Sequence, residues 1–189
     1  MKPLLTEENF IAASKYLGCE IAAIKAVCEV ESPKGGFNPD GTPVTLFEGH
    51  WFSRYTNHKF DKDYPNISYP KWTTKYYGKT WQDEQSRLQS AMMLDRTSAL
   101  MSASWGKFQI MGFNFSICGF RTIQTFINAM YHSEEKQLNA FCSYIINSGL
   151  SDELQDKRWD DFAYRYNGPE YKKNKYAEKL NNAYLKYKE

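Results

Sequence analysis

The sequence predicts a mainly α-helical single domain, residues 1–189, with one small β-strand or hairpin element. Three observations lead there. Apolar residues recur at helical spacing over most of the chain, between recognisable caps and glycine stops. One segment, 37–79, breaks that rhythm with repeated prolines and glycines. A chain of 189 residues, 42% of them hydrophobic, is long enough to bury one core of ordinary size without metal or disulfide support.

Taken in order, Thr6 caps a helix carrying Phe10, Ile11, Ala13, Ser14 and Leu17, and Gly18 ends it. A second helix runs over about 20–31, where Pro33 and Gly35-Gly36 stop it. The two helices make an antiparallel hairpin. Beyond Phe37, a turn over 38–43 feeds a short strand over 44–47. The rest of the segment is a loop carrying Trp51, Phe52, Tyr55, Tyr64, Tyr69, Trp72, Tyr76 and Tyr77. A loop of that length is functional or disordered, and this aromatic content argues against disorder. Thr80 opens a helix that continues to about Met101, and further helices cover about 122–132, 134–147, 158–166 and 170–187. Gly149 and Gly168 mark breaks between them.

Composition removes several classes of function. No window approaches the roughly 18 consecutive apolar residues of a membrane span, and the mean hydropathy is −0.66. The opening residues turn acidic at Glu7-Glu8 before a secretory leader can form, which places the protein in the cytosol until something releases it. Cys19, Cys28, Cys118 and Cys142 form no CxxC pair, and His50, His58 and His132 are scattered. The expectation is four reduced core thiols, no metal and no cofactor. A net charge of +2 and a pI near 8.2 speak against a nucleic-acid binder, whose domain pI usually exceeds about 9. Gly78-Lys79-Thr80 lacks the leading glycine of a phosphate loop, because position 73 is Thr73. Neither a GxSxG elbow nor an HExxH pair occurs. Aromatics at 16% of the chain suggest a cleft where rings meet a partly polar ligand: a sugar, a base or a partner protein. Over 171–189, six lysines stand against Glu178 and Glu189; this is a solvated helix face or a weak contact for an anionic membrane.

Glu31 is the first candidate for chemistry. On a helix it shares a stripe with Ile24, Val27 and Cys28. A carboxyl there loses hydration and meets the negative end of the helix dipole, and both effects raise its pKa, as a general acid near neutral pH requires. The alternative is a glutamate that only hydrogen-bonds a neighbouring loop. Glu29, about 200° round the axis, points elsewhere and pairs with Lys25 one turn back.

Further blocks add weight: Val30-Glu31-Ser32, Leu46-Phe47-Glu48-x-His50, Ser104-Trp105-Gly106-x-Phe108-Gln109-Ile110-Met111-Gly112-Phe113-Asn114, Cys118-Gly119-Phe120 and Tyr166-Asn167-Gly168-Pro169-x-Tyr171. Together they resemble the lysozyme superfamily of goose-type lysozymes and soluble lytic transglycosylases, and more closely the N-acetylmuramidase domains of phages and prophages, over about 20–187. The resemblance implies a lysozyme-like, two-lobed fold and a peptidoglycan substrate, cut between N-acetylmuramic acid and N-acetylglucosamine. It implies Glu31 as proton donor and Gln109 as a group holding a sugar amide or backbone. Tyr166 and Asn167 would position Glu31 or an N-acetyl arm, with His50 and Trp105 also on the substrate side. For Gln109, Tyr166 and Asn167 the alternative is packing and loop closure.

A hydrolase also needs a second carboxylate, at about 5–5.5 Å from the acid in retaining enzymes and about 6.5–9.5 Å in inverting ones. Asp40, Asp61, Asp63, Asp95 and Glu48 are available, and the resemblance favours Glu48, unless that residue only bonds His50 or backbone. A lytic transglycosylase needs none, because the substrate's own 6-hydroxyl attacks. The resemblance further implies a monomeric endolysin that waits in the host cytoplasm until a holin opens the membrane, compact as for a Gram-negative host. A non-catalytic glycan-binding phage protein is the rival from another class.

Overall fold

In the computed structural model, residues 2–31 and 35–188 are described. The expected turn at Ser32-Pro33-Lys34 lies outside them. Helix α1 (Glu7–Leu17) starts at a reciprocal Thr6/Asn9 capping box and ends at Gly18 with φ 66, a left-handed cap that glycine adopts without strain. Helix α2 (Ile21–Glu31) packs on it and buries Ala22, Ala23, Ile24, Ala26, Val27 and Cys28.

The strand arrives as expected, as β1 (Thr45–Phe47). It pairs with β2 (Ala103–Trp105), which pairs with β3 (Ile110–Met111), in an antiparallel sheet ordered β1-β2-β3. The two later strands are too short to carry a period-two signal, and β2 is buried along its whole length. The segment 37–79 holds helix α3 (Gly49–Tyr55) where a loop was expected. Packing of Phe52, fully buried on Phe47 at 5.7 Å, stabilises a helix too short to stand alone. Beyond α3, left-handed Asn57 and His58 turn the chain, and Asp61 gathers Ser53, His58 and Ser68 on its carboxylate.

The single helix expected over 80–101 is two, α4 (Trp81–Leu94) and α5 (Arg96–Met101). Asp95 divides them: its extended backbone closes α4 and its side chain accepts from Ser98 N–H to cap α5. Helices α6 (Ile123–His132) and α7 (Glu134–Asn147) follow, capped by Thr122 and Ser133. A one-turn helix α8 (Ser151–Gln155) was not expected; α9 (Trp159–Asn167) was. The last helix, α10 (Tyr176–Lys188), starts later than expected, because a 3-10 turn over 169–172 and left-handed Lys175 precede it.

The elements sort into two lobes over one continuous core. Helices α1, α2, α7, α9 and α10 form one, with α10 laid along α2. The sheet with α3, α4 and α5 forms the other, and α6 contacts both. All four cysteines are buried and unpaired, and burial pushes the Cys28 thiol up to about 12. Gly112, where β3 meets α5, has no room for a side chain: a Cβ there would stand 2.1 Å from the Leu100 carbonyl oxygen. Backbone cannot retreat as a side chain can, so Gly112→Ala is expected to destabilise the fold by about 3 kcal/mol. Thermal unfolding checks this, and a change within 0.5 kcal/mol, the usual size of a harmless surface substitution, would show that the junction gives way.

Candidate functional site

Glu31 is the last residue of α2, and its stripe is dry: Ile24 and Val27 are fully buried and Cys28 nearly so. Its carboxyl Oε1 accepts a 2.9 Å hydrogen bond from Asn167 Nδ2. Burial pushes its pKa up to about 7, against a smaller lowering by the Asn167 bond. Among the described residues, neither a cation nor a second carboxylate contributes to that shift. Glu29 behaves as the opposite case. It binds Lys186 Nζ at 2.7 Å and Tyr187 Oη at 2.6 Å, which hold its carboxyl below the usual range. The expected Glu29–Lys25 pair is not formed, because Lys25 reaches Glu7 at 2.8 Å instead.

Asn167 ends α9, where Gly168 turns the chain away with φ 84. Its Oδ1 is buried without a hydrogen-bond partner among the described residues. Tyr166, one residue earlier, anchors this end of α9. Its ring stacks on Phe162 at 5.3 Å and meets Phe141 and Tyr144 edge-on. Its hydroxyl donates to the Phe108 carbonyl at 2.8 Å, tying α9 to the turn between β2 and β3. Burial, and then the charge of Glu31, raise the pKa of both Tyr166 and Tyr176. The Asn167 amide bonds the carboxyl, and the two phenols stand near enough to feel its charge.

Gln109 stands in that β2–β3 turn in a left-handed conformation, φ 48, which is uncommon for a side-chain-bearing residue and typical of functional segments. Its amide is engaged with the protein. Oε1 accepts from Ser104 Oγ at 2.8 Å, and Nε2 donates to the carbonyls of Gly106 at 2.8 Å and Val44 at 3.4 Å. Trp105, expected on the substrate side, is instead core: it is 1% exposed and its indole N–H donates to the Leu100 carbonyl.

Glu48 precedes α3 at the end of β1 opposite Val44, and its side chain makes no cap bond to the helix. Oε1 accepts from Tyr77 Oη at 2.7 Å; Oε2 lies 3.3 Å from His50 Nδ1, with both atoms buried and lacking a well-aligned partner. Of the other carboxylates considered, Asp40 closes its own turn onto Thr42, and Asp61 and Asp95 serve the turns described above. Among the described residues, no three His, Cys, Asp or Glu come together to hold a metal ion.

Two residues that the sequence did not single out brace the site. Glu134, 2% exposed, accepts from Gly36 N–H at 2.6 Å and from Leu5 N–H at 3.2 Å, with Lys107 Nζ at 3.4 Å. Gln137, 1% exposed, accepts from Lys107 N–H at 2.8 Å and donates to the carbonyls of Met130 and Gly36. Gly36 is thereby fastened to the turn that carries Gln109. In the sequence both residues look like ordinary polar members of a helix's first turns, and no spacing marks them out.

Comparison with known proteins bears on this geometry. The family model described as N-acetylmuramidase matches residues 20–188. Among solved structures, the crystal structure of the Burkholderia AP3 phage endolysin matches with a TM-score of 0.89 and 36% sequence identity, covering 98% of this chain and 71% of that one. A search of curated proteins found no match.

Proposed function

The chain belongs to the N-acetylmuramidase family, and from that premise we infer that it cuts the β-1,4 bond between N-acetylmuramic acid and N-acetylglucosamine with Glu31 as the general acid. The protein is a peptidoglycan-degrading glycoside hydrolase. The observation that carries the assignment of the acid is the carboxyl at the end of α2, raised to about 7 by burial, so that a proton is present at neutral pH. Glu31 gives that proton to the glycosidic oxygen as the bond to the anomeric carbon breaks. Water then adds to that carbon and loses a proton to a base. Asn167 holds the carboxyl from one side, and Tyr166 fixes Asn167 by anchoring α9 to the β2–β3 turn. Gln109 acts chiefly by shaping that turn, since its amide is already bonded within the protein.

Glu48 is the candidate for the water-activating base. A retaining nucleophile about 5 Å from the acid would raise the pKa of Glu31 by its charge, and no described carboxylate does so. That favours an inverting arrangement, with Glu48 acting through water. That same observation favours a second reading, in which Glu31 serves as both acid and base and the product is an anhydro sugar. Mass spectrometry of muropeptides released from purified peptidoglycan separates the two. Reducing N-acetylmuramic acid ends are expected, and ends lighter by one water would mean transglycosylation. Intact walls would leave a glycan-binding protein. Glu48→Gln removes a base but keeps an acceptor for Tyr77, so a kcat loss of about 100-fold is what a base requires.

The likeness to a phage endolysin supports a lytic protein acting on peptidoglycan, and we propose that it acts as a monomer, released from the host cytoplasm by a holin to reach periplasmic peptidoglycan. Among the described residues no helix is long and apolar enough to cross a membrane. The lysine-bearing α10 is laid along α2, with Lys186 bound to Glu29, so any membrane contact is confined to its outer lysines. Flotation of the protein with anionic vesicles tests that contact, and a protein that stays at the bottom of the gradient dismisses it.

A further inference from the structure

Glu48 and His50 stand at the end of β1 and in the first turn of α3, and their side chains face each other. Glu48 Oε2 and His50 Nδ1 are 3.3 Å apart, and both atoms are buried with no hydrogen-bond partner besides. Two lone pairs turned on one another in a dry place repel, so a proton belongs between them. With the carboxylate ionised, that proton is carried by Nδ1. The other carboxylate oxygen is committed as well, since Oε1 accepts from Tyr77 Oη at 2.7 Å. Burial first, and then Glu48, raise the pKa of that phenol, so Tyr77 stays a donor.

Fixing the proton on Nδ1 leaves the lone pair of the ring on Nε2. That atom bonds no described residue and is not buried, and the side chain is 20% exposed, so the lone pair opens to solvent. Glu48 has less freedom, with one oxygen buried against His50 and the other held by Tyr77. Glu31 does not register its charge, so the two carboxyls are not near neighbours, and the imidazole extends the reach of the second one. We propose that His50 Nε2 takes the proton of the attacking water, with Glu48 as the positioning residue that holds the Nδ1–H tautomer and balances the charge the ring gains. This rests on hydrolysis with water activated on the Glu48 side, and it assigns the base to the pair. As the bond from the anomeric carbon to the glycosidic oxygen breaks, Glu31 protonates that oxygen, a water oxygen bonds to the carbon, and the water's proton moves to Nε2. The imidazolium then releases a proton to solvent and Glu31 regains one, which restores both groups. The 3.3 Å contact is not aligned as a hydrogen bond, and catalytic contacts of this kind often tighten only when substrate is bound.

The test is the rate at which reducing ends are released from purified peptidoglycan by the full chain carrying His50→Asn or His50→Ala. An asparagine amide can replace Nδ1–H toward Glu48 but supplies nothing in place of Nε2. His50→Asn is expected to melt within about 3 °C of the native protein. It should lose about 100-fold in kcat, with KM changed less than about twofold. Added imidazole should raise the rate of His50→Ala roughly tenfold and leave the native rate unchanged. A His50→Asn protein active at the native rate would reduce the ring to a bonding partner of Glu48 and overturn the proposal. A rise in KM alone, which returns His50 to substrate binding, or a His50→Ala protein that imidazole does not rescue, overturns it as well. Failure of the hydrolytic reading registers separately, as anhydro ends released by the native protein.

Discussion

Glu31→Gln is expected to lower kcat by about 1,000-fold and, at pH 8, to make the protein more stable. The two effects share one cause. The carboxyl titrates near 7 in the folded chain, against an ordinary value of 4.5, so between those values the folded state holds a proton that the unfolded state releases. A group raised in this way supports folding fully below about pH 4.5, and its support is lost as pH rises through 7. Above that, a buried charge with Asn167 as its hydrogen-bond partner is carried at a cost of order 3 kcal/mol, which the neutral amide avoids. Denaturant melts of both proteins at pH 4 and pH 8 check the sign: similar stability at pH 4, and the variant ahead at pH 8. Activity of the native protein should fall on the alkaline side as Glu31 loses its proton, near pH 7. A variant that clears cell walls at the native rate would remove Glu31 from the chemistry.

Glu134→Ala is the largest loss expected away from the acid. The substitution strips Gly36 N–H and Leu5 N–H of their acceptor and leaves the Lys107 ammonium, 14% exposed, without its carboxylate. Breaking a buried arrangement of this kind costs about 3–5 kcal/mol, or roughly 10 °C in Tm for a chain of this size. Activity should fall further than stability explains, because Gly36 and the turn bearing Gln109 share this fastening. Glu135→Ala, one residue along and exposed, is the control. Equal melting temperatures for the two variants would mean that water replaces the Glu134 carboxylate without penalty.

The helices were legible because their signals are local. Thr6, Thr80 and Gly18 cap or stop helices in the structure as their residue types suggest, and the apolar stripe ending at Glu31 places a carboxyl beside Val27 and Cys28 from spacing alone. The division at Asp95 was obscured because apolar residues continue at helical spacing on both sides of it. Strands β2 and β3, and helix α3, are made by partners distant in sequence: Ser104 faces both Leu46 and Met111, and Phe52 needs Phe47. Trp105 was misread because an indole beside a glycine turn looks the same in sequence whether its N–H meets a sugar or the Leu100 carbonyl. Glu134, Gln137 and Tyr77 were missed for the same reason, since each acts on residues 27 or more positions away, apart from the Gln137 bond to Met130.

The burial of the four cysteines bears on where the protein can work. Cys28 lies one turn before Glu31, and its thiol, like those of Cys118 and Cys142, is pushed up to about 12 by burial, with Cys19 at about 11. The reactive form of cysteine is the thiolate, and at neutral pH these groups are protonated as well as enclosed. A fold sealed in this way is expected to keep the same covalent state in reducing and in oxidising solution, so that a change of redox surroundings neither arms the catalyst nor damages it.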